Sequence, residues 1–262
     1  MTIRTCSVAG MFYPREPSHL EQLLEKFFRN TSSTLNAFGI ISPHAGYVYS
    51  GQIAACAFRA IPETFSGTFI VIGPSHRGYL TCTSSIPWET PLGILNVDQE
   101  IVTALDIKID EFSHQSEHSI EVQLPFIKYR FPRAMIVPIM MGDQDSTNAR
   151  NLADAIYKAI CKMKKEVKIV ASSDFSHYVP DKYARQHDTD AIKALKNLDI
   201  EEFYRRIAAE GVSACGYGPI ASTCLVCKVM GARNGELLQY GTSGDVTGDY
   251  DQVVGYGAIA VV

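Results

Sequence analysis

The sequence has little net charge, no long apolar run and no low-complexity segment, and each absence excludes a class of protein. A formal net charge of −4 and a pI near 6.0 offer no basic surface for a nucleic acid. Since no run of about 18 apolar residues occurs, no membrane-spanning helix is predicted. The residues before Gly10 lack the charged and apolar regions of a secretory leader. We therefore expect a globular protein that binds no nucleic acid and spans no membrane.

Cysteines are few, and their number is odd. Seven are scattered along 262 residues, a length at which a domain buries a sufficient core without disulfide bonds. Scattered cysteines in a large domain are typical of free thiols in a reducing compartment. We therefore expect a protein of the cytoplasm, or also of the nucleus, whose cysteines are unpaired.

The sequence does contain an alternation of short apolar runs with amphipathic segments. The runs that predict buried strands lie at 39–41, 69–72, 134–139, 167–171, 237–241 and 253–261. Segments with helical spacing separate most of them, and residues 80–97 predict a β-hairpin. Strands that alternate with helices indicate an α/β fold with a central, largely parallel sheet flanked by helices and one antiparallel excursion.

Three of the predicted strands end in a turn that carries a histidine. His44 follows Ser42-Pro43, His76 ends the motif G-P-S-H, and His177 ends S-S-D-F-S-H. The carboxyl ends of parallel strands meet at one edge of an open α/β sheet, where ligands bind. We therefore expect the three imidazoles to converge. Any one of them alone is equally well explained as a hydrogen-bonded turn residue, but all three at matching positions favour a functional site.

Two histidines and one anionic ligand are typical of a non-haem Fe(II) site. Asp174 precedes His177 by three residues and is expected to orient that ring or to bind the metal itself. Cys215 lies in a glycine-flanked turn that predicts a helix start, where the helix dipole lowers the pKa of a thiol and favours the thiolate. The alternative for Cys215 is a small buried apolar side chain.

Other candidate residues carry weaker signals. Cys224 and Cys227 have zinc-knuckle spacing, but they lie in an apolar helical segment without a second C-x-x-C, which predicts core residues. His118 and Glu121 are expected to share one face of a helix and to support the site rather than bind a metal. His114 shows only the pattern of an exposed surface residue.

Five motifs in series resemble the Memo family over nearly the whole chain. They are S-P-H-A-G-Y at 42–47, G-P-S-H at 73–76, E-H-S-I-E-V-Q-L-P-F at 117–126, S-S-D-F-S-H-Y at 172–178 and A-C-G-Y-G-P-I at 214–220. The resemblance implies one Memo-like domain over 1–262, with a fold similar to that of the class III extradiol dioxygenases. It also implies that His44, His76 and Cys215 bind Fe(II) or copper and that His177, with Asp174 beside it, is the catalytic histidine. Phe12 stands where many family members have tryptophan.

Two functions follow from this resemblance. The first is a metal-dependent redox enzyme that acts with dioxygen on a small-molecule or peptide substrate. A thiolate in place of the dioxygenase carboxylate makes the site softer and favours Cu(I) or a redox-active iron. The second is a non-catalytic signalling protein in cell motility, which binds a phosphorylated peptide, such as a phosphotyrosine peptide, in the same pocket.

Overall fold

The computed structural model describes residues 2–31 and 35–262, in which strands and helices alternate. The strands are β1 (Gly39–Ser42), β2 (Thr68–Pro74), β3 (Cys82–Thr83), β4 (Trp88–Thr90), β5 (Gly93–Leu95), β6 (Met135–Met141), β7 (Val167–Ser172), β8 (His177–Val179), β9 (Gly235–Thr242) and β10 (Val253–Val261). The helices are α1 (Pro17–Arg29), α2 (Tyr47–Arg59), α3 (Gln99–Leu105), α4 (Glu111–His114), α5 (Leu124–Arg130), α6 (Ser146–Met163), α7 (Asp181–Leu195), α8 (Ile200–Glu210), α9 (Tyr217–Val229) and α10 (Gly244–Thr247).

The main sheet has the order β3-β6-β2-β7-β1-β10-β8, with β9 also paired to β10. Its four central strands, β6, β2, β7 and β1, are parallel, and the remaining strands are antiparallel. The predicted α/β fold with a largely parallel sheet is confirmed. The antiparallel part is larger than the predicted hairpin, which forms separately as β4–β5. One reason is that the segment between β9 and β10 is shorter than the dozen or more residues that a parallel crossover needs.

The core lies between the parallel strands and the helices that pack on them. All seven residues of β2 are buried, as expected for a central parallel strand. Helix α9 packs on β1, β2 and β7, and α2 packs on β1 and β10. Cys224 and Cys227 are fully buried on α9, which confirms that they are core residues. All seven cysteines are free thiols. Within the described residues, no helix is long and apolar enough to cross a membrane.

The segment before α5 follows its prediction only in part. The sequence predicts a helix over residues 117–129 that is interrupted or starts near Pro125. Helix α5 does start there, at Leu124, but Glu117 and His118 lie outside any helix and a 3-10 helix spans Glu121–Gln123. The Glu117 carboxylate accepts a hydrogen bond from the amide of Ser119 at 2.9 Å, and such local side-chain bonds compete with helical ones. The prediction that His118 shares a helix face with Glu121 is therefore wrong.

His114 also differs from its prediction. It was expected on the surface, but it is fully buried at the end of α4, with its ring 5.5 Å from that of Trp88. The guanidinium of Arg4 lies 4.0 Å from the Trp88 ring and donates to the carbonyl of His114 at 2.8 Å. The tertiary contacts of the N-terminal segment, which periodicity does not reveal, therefore bury this histidine.

A buried ion pair fixes the N-terminal segment to the turn at residues 115–121. Arg4 donates to the carboxylate of Glu121 at 2.6 Å and to the carbonyl oxygen of Glu117 at 2.9 Å. The same carboxylate accepts hydrogen bonds from the amides of Ser7 and Val8 and from the hydroxyls of Ser7 and Tyr13. Burial opposes ionisation of Glu121, but Arg4 and these donors outweigh it and lower the pKa of the carboxyl group.

Replacing Arg4 with alanine should destabilise the protein by about 3–5 kcal/mol, because it leaves a buried carboxylate without its cation. Glu121→Gln, which keeps the shape of the side chain, should also destabilise it. Urea unfolding monitored by circular dichroism measures both changes. The matched control is Arg29→Ala, which breaks an exposed pair with Glu25 and should cost at most about 1 kcal/mol.

The pH dependence of the same variants checks the cause. Because the pKa of Glu121 is lowered by folding, its stabilisation is present above the usual carboxyl pKa of about 4.3 and is lost as the pH falls through the folded value. The difference in stability between the parent and Glu121→Gln should therefore shrink in acid. A difference that stays constant from pH 7 to pH 3 would contradict this account.

Candidate metal centre

Two strands of the parallel sheet, separated by one other strand, bring two of the predicted histidines together at its carboxyl edge. His44 follows β1 and His76 follows β2, and β7 lies between these strands. The ring centroids of His44 and His76 are 5.2 Å apart. The ring of His118, from the turn before α5, lies 5.4 Å from the first and 4.6 Å from the second.

These three histidines have the spacing of a metal site. One nitrogen from each ring lies within 4.8 Å of the others. Donor atoms this close could share one ion after a small adjustment of the rings, because metal–nitrogen bonds are about 2.0–2.1 Å long. The cluster formed by His44, His76 and His118 is therefore compatible with metal binding.

Ser172, the last residue of β7, fixes the tautomer of His44. Its hydroxyl donates its single hydrogen to the carbonyl oxygen of Ser119 at 2.6 Å. The hydroxyl must therefore accept from Nδ1 of His44, at 2.9 Å. It also accepts from the amide of Gln123 at 2.8 Å. Since Nδ1 carries the hydrogen, the lone pair on Nε2 is available to bind a metal.

Glu117 does the same for His76. Its buried carboxylate accepts from the backbone amide of His76 at 2.8 Å and from Nδ1 of the ring at 2.9 Å. Burial alone would raise the pKa of Glu117, but the hydrogen bonds and charge of His76, together with the Ser119 amide, hold that pKa well below its usual value. Because the Glu117 carboxylate stays ionised and accepts the hydrogen of Nδ1, Nε2 of His76 is the nitrogen whose lone pair can bind a metal.

His118 lies against the same carboxylate and against an aromatic ring. Its Nδ1 is 3.5 Å from Glu117, and its ring is 4.8 Å from that of Phe12. Burial lowers the pKa of His118, and it lowers the pKa of His44 still further, with neighbouring histidines adding to the effect in both cases. Both rings are therefore neutral near pH 7, which is the form that binds metals.

Cys215 reaches the cluster, but in a different state from the one expected. Its Sγ lies 3.2 Å from Nε2 of His44 and accepts from the amide of Asp174 at 3.3 Å. The helix start was expected to favour the thiolate, whereas burial, with a contribution from the Asp174 charge, raises the pKa of Cys215. Without a metal the thiol is neutral, because the desolvation of a thiolate at this position exceeds the effect of the helix dipole.

The turn after Cys215 depends on glycine. A Cβ atom on Gly216 would lie 2.5 Å from the carbonyl oxygen of Ser172. Only glycine therefore lets the start of α9 approach the end of β7 closely enough to place Cys215 beside His44.

Asp174 lies in the site and holds a backbone group. Its buried carboxylate accepts from the amide of His44 at 2.8 Å. Burial raises the pKa of Asp174 to about 6, although that amide and the nearby histidines act in the opposite direction. Asp174 was expected either to orient the ring of His177 or to bind the metal. The structure shows it positioning the loop that carries His44.

His177 is oriented by Ser213 instead. Nδ1 of the ring lies 3.0 Å from the carbonyl oxygen of Ser213, and the hydroxyl of Ser213 accepts from the amide of His177 at 2.8 Å. A carbonyl oxygen only accepts hydrogen bonds, so Nδ1 carries a hydrogen and donates it to Ser213. Ser213 belongs to the segment before Cys215, whose sequence gave no sign of this contact.

The structure thus brings only some of the predicted site residues together. His44, His76, Cys215 and Asp174 lie in one cluster, and His177 lies on the adjoining turn. Sequence reasoning assigned His118 only to the support of the site, and it gave no role to Glu117, Ser172 or Ser213. The available signal was the dipeptide Glu117-His118 inside one of the quoted motifs, which pairs a ligand type with its usual partner.

Comparisons with known proteins agree with the motifs. The sequence model described as Memo-like protein matches residues 4–260. A MEMO1 family protein of Methanosarcina barkeri is 42% identical over 266 residues, which cover 99% of this chain and 100% of the relative. MEMO1 family proteins of Methanococcoides burtonii and Nitrosopumilus maritimus are 42% and 40% identical, each with 99% of this chain and 100% of the relative covered.

Glu117→Gln tests the support of His76 in the cluster. The amide keeps the size of the side chain but loses the charge that holds Nδ1–H of His76. We expect the affinity for a divalent metal to fall by about 10–100-fold with unchanged stoichiometry, as measured by competition with a chelating dye. Glu111→Gln is the control, because Glu111 accepts from Ser84 and Ser85 outside the cluster. Equal affinities for Glu117→Gln and the parent would contradict the assigned role.

Proposed function

The chain belongs to the Memo family, and we propose that it is a metal-dependent redox protein with a non-haem iron or copper centre at the carboxyl ends of its parallel strands. The observation that carries this proposal is the cluster of His44, His76 and His118, with one nitrogen of each ring within 4.8 Å of the others. Family membership alone does not give an activity, because function depends on the site.

The donor atoms fit such a metal. Imidazole nitrogens suit iron and copper, and a thiolate adds preference for softer ions such as Cu(I). His44 and His76 are common to every arrangement of ligands. The third position has two candidates, His118 and Cys215, and Sγ of Cys215 lies 3.2 Å from Nε2 of His44. When bound, the metal would supply the redox chemistry with dioxygen that amino-acid side chains lack.

His177 is proposed as the group that accepts and returns a substrate proton. Its Nδ1–H is held by the carbonyl of Ser213 at 3.0 Å, which leaves Nε2 as the basic nitrogen. Asp174 contributes by holding the amide of His44 rather than by contacting the proton. A small or peptide-borne substrate with an acidic proton would bind beside the metal ligands and give that proton to His177.

The second candidate is a signalling protein that binds a phosphorylated peptide in the same pocket. Its support is an exposed apolar corner beside the cluster. Met11 and Val48 are 74% and 68% exposed, and the amide of Tyr47 donates to the carbonyl of Phe12 at 2.7 Å, which joins the two segments. Peptide binding that is unchanged in metal-free protein would favour this candidate over the redox protein.

Anaerobic reconstitution with Fe(II) or copper tests the metal site. The parent should bind a single ion, and His44→Ala and His76→Ala should lose it, because both remove a nitrogen donor that every arrangement uses. Metal content after gel filtration measures this. If either variant binds as tightly as the parent, that histidine is not a ligand and the proposal fails.

The third ligand is identified with the same measurement. Cys215→Ser should weaken copper binding more than iron binding if the thiolate is the ligand, because an alcohol is a poor soft donor. His118→Ala should weaken both if the imidazole is the ligand. Cys224→Ser is the control and should change neither, since Cys224 is a core residue on α9.

His177→Ala should keep the metal content of the parent and lower dioxygen-dependent turnover by roughly 10²–10⁴-fold, the usual contribution of a positioned general base. Metal content, melting temperature and oxygen consumption are measured on one preparation. Loss of metal would make His177 a ligand. A lower melting temperature with intact turnover would make it a residue that only supports the turn before α7.

A further inference from the structure

Asp188 is a buried carboxylate whose hydrogen-bond partners are all uncharged. It lies on α7 and is fully buried. Its carboxylate accepts from the hydroxyl and the amide of Ser176, at 2.5 and 3.2 Å, and from the hydroxyl of Tyr240 at 2.6 Å. No ion pair among the described residues includes Asp188. A buried carboxylate without a cation is costly, so its presence here needs an explanation.

The packing around this carboxylate does not supply one. A Cβ atom on Gly255, in β10, would lie 2.1 Å from Oδ2 of Asp188 and 2.6 Å from the hydroxyl oxygen of Tyr240. Glycine is therefore required where α7, β9 and β10 meet, so that the carboxylate has room. An apolar side chain of the same size would fill this space without the cost of burying a charge.

The carboxylate holds the residue that precedes His177. The loop between β7 and β8 (residues 173–176) ends in two amides that donate to side chains: that of Ser176 to Asp188, and that of His177 to the hydroxyl of Ser213 at 2.8 Å. The next residue, Tyr178, has a φ of 56°. A residue other than glycine keeps such a strained conformation only where its surroundings fix it, and this often occurs at functional sites.

Asp188 is also close enough to His177 to be affected by its charge. Burial raises the pKa of Asp188, whereas the hydrogen bonds from Ser176 and Tyr240 and the positive charge of a protonated His177 act in the opposite direction. The loop that leads to His177 is thus held from two sides, by Asp188 on α7 and by Ser213 before α9.

We infer that Asp188 is a positioning residue of the proposed active site, which acts through Ser176 to fix the loop that leads to His177. The inference rests on the proposed function, in which His177 accepts and returns a substrate proton. A general base must lie within hydrogen-bond distance of the proton that it takes. A displacement of about 1 Å can lower a rate by roughly 10²-fold, so a base on a strained loop needs support from both sides.

Nitrogen-15 NMR of the histidine rings in the metal-free protein tests this role, because the ring signals show which nitrogen carries a hydrogen. At a pH well above the usual histidine pKa of about 6.5, His177 should carry it on Nδ1, held by the carbonyl of Ser213. Its signal is identified by its loss in His177→Ala. In Asp188→Ala the loop is released and both tautomers should appear. Asp188→Asn should keep the parent signal, because its amide oxygen still accepts from Ser176.

Tyr240→Phe is the matched control. It removes the other donor to the same carboxylate and should lower the melting temperature, but it leaves both bonds between Asp188 and Ser176 in place. The His177 signal should therefore stay unchanged. Should Asp188→Ala fail to fold, Ser176→Ala provides the measurement, since it removes only the hydroxyl and should cause a smaller change of the same kind at His177.

Three results would overturn the inference. The first is an unchanged His177 signal in Asp188→Ala, or in Ser176→Ala if that variant is the one measured. The second is an equal change at His19 and His114, because Asp188 would then support the whole fold. The third is an equal effect of Asp188→Asn and Asp188→Ala, which would contradict an action through Ser176.

Oxygen consumption by the iron-loaded protein separates this inference from the proposed function. Asp188→Ala should lower the dioxygen-dependent turnover by about 10–100-fold at unchanged metal content, and Asp188→Asn should restore most of it. Turnover that is unchanged in His177→Ala would refute the proposed base. The NMR comparison on metal-free protein would still decide whether Asp188 positions the ring of His177.

Discussion

The buried carboxylate of Glu117 accepts hydrogen bonds from the ring and the amide of His76 and from the amide of Ser119. One anion thereby orients the ring of His76, positions the loop after β2 and shapes the turn that carries His118. Such a group is stable only if its own surroundings are fixed, because a buried charge without partners is costly. Arg4, in the N-terminal segment, fixes these surroundings because it donates hydrogen bonds to the carbonyl of Glu117 and to the carboxylate of Glu121. The candidate site therefore depends on an N-terminal residue that contacts none of its three histidines.

Three different hydrogen-bond acceptors favour the same tautomer in His44, His76 and His177. The hydroxyl of Ser172, the carboxylate of Glu117 and the carbonyl of Ser213 each contact an Nδ1. Each arrangement places the hydrogen on Nδ1 and leaves the lone pair on Nε2. The strength of the acceptor differs, since a carboxylate makes its imidazole a better donor than a carbonyl or hydroxyl does. His76 therefore has the strongest acceptor of the three on its Nδ1, which suits the role of ligand proposed for it, whereas the weaker carbonyl acceptor on His177 fits the proton transfer proposed there.

Much of the fold and part of the site could be predicted from the sequence because their signals are local. An apolar run that ends in Ser42-Pro43 or Gly73-Pro74 is a strand followed by a turn in almost any context, and parallel strands place His44 and His76 at one edge. His118 gave no such signal, since its position depends on a turn that the side chain of Glu117 stabilises against a helix. The protonation of the Cys215 thiol could not be predicted from the sequence either. A helix start can be recognised in a sequence, but the desolvation that raises the pKa of the Cys215 thiol results from the packing of distant segments.

The separation in sequence of the contacting residues has a consequence for biosynthesis. Arg4 meets Glu121 across 117 residues, and Cys215 meets His44 across 171. At a synthesis rate of roughly 5–20 residues per second, Arg4 waits on the order of 6–23 s for its carboxylate partner. The strand ends that carry the histidines are made long before Cys215 and α9 leave the ribosome. A nascent chain therefore presents the imidazoles without the thiol and without α9. The proposed metal site would be complete only at the end of translation, so the amount of loaded protein would depend on the metal supply at that later time.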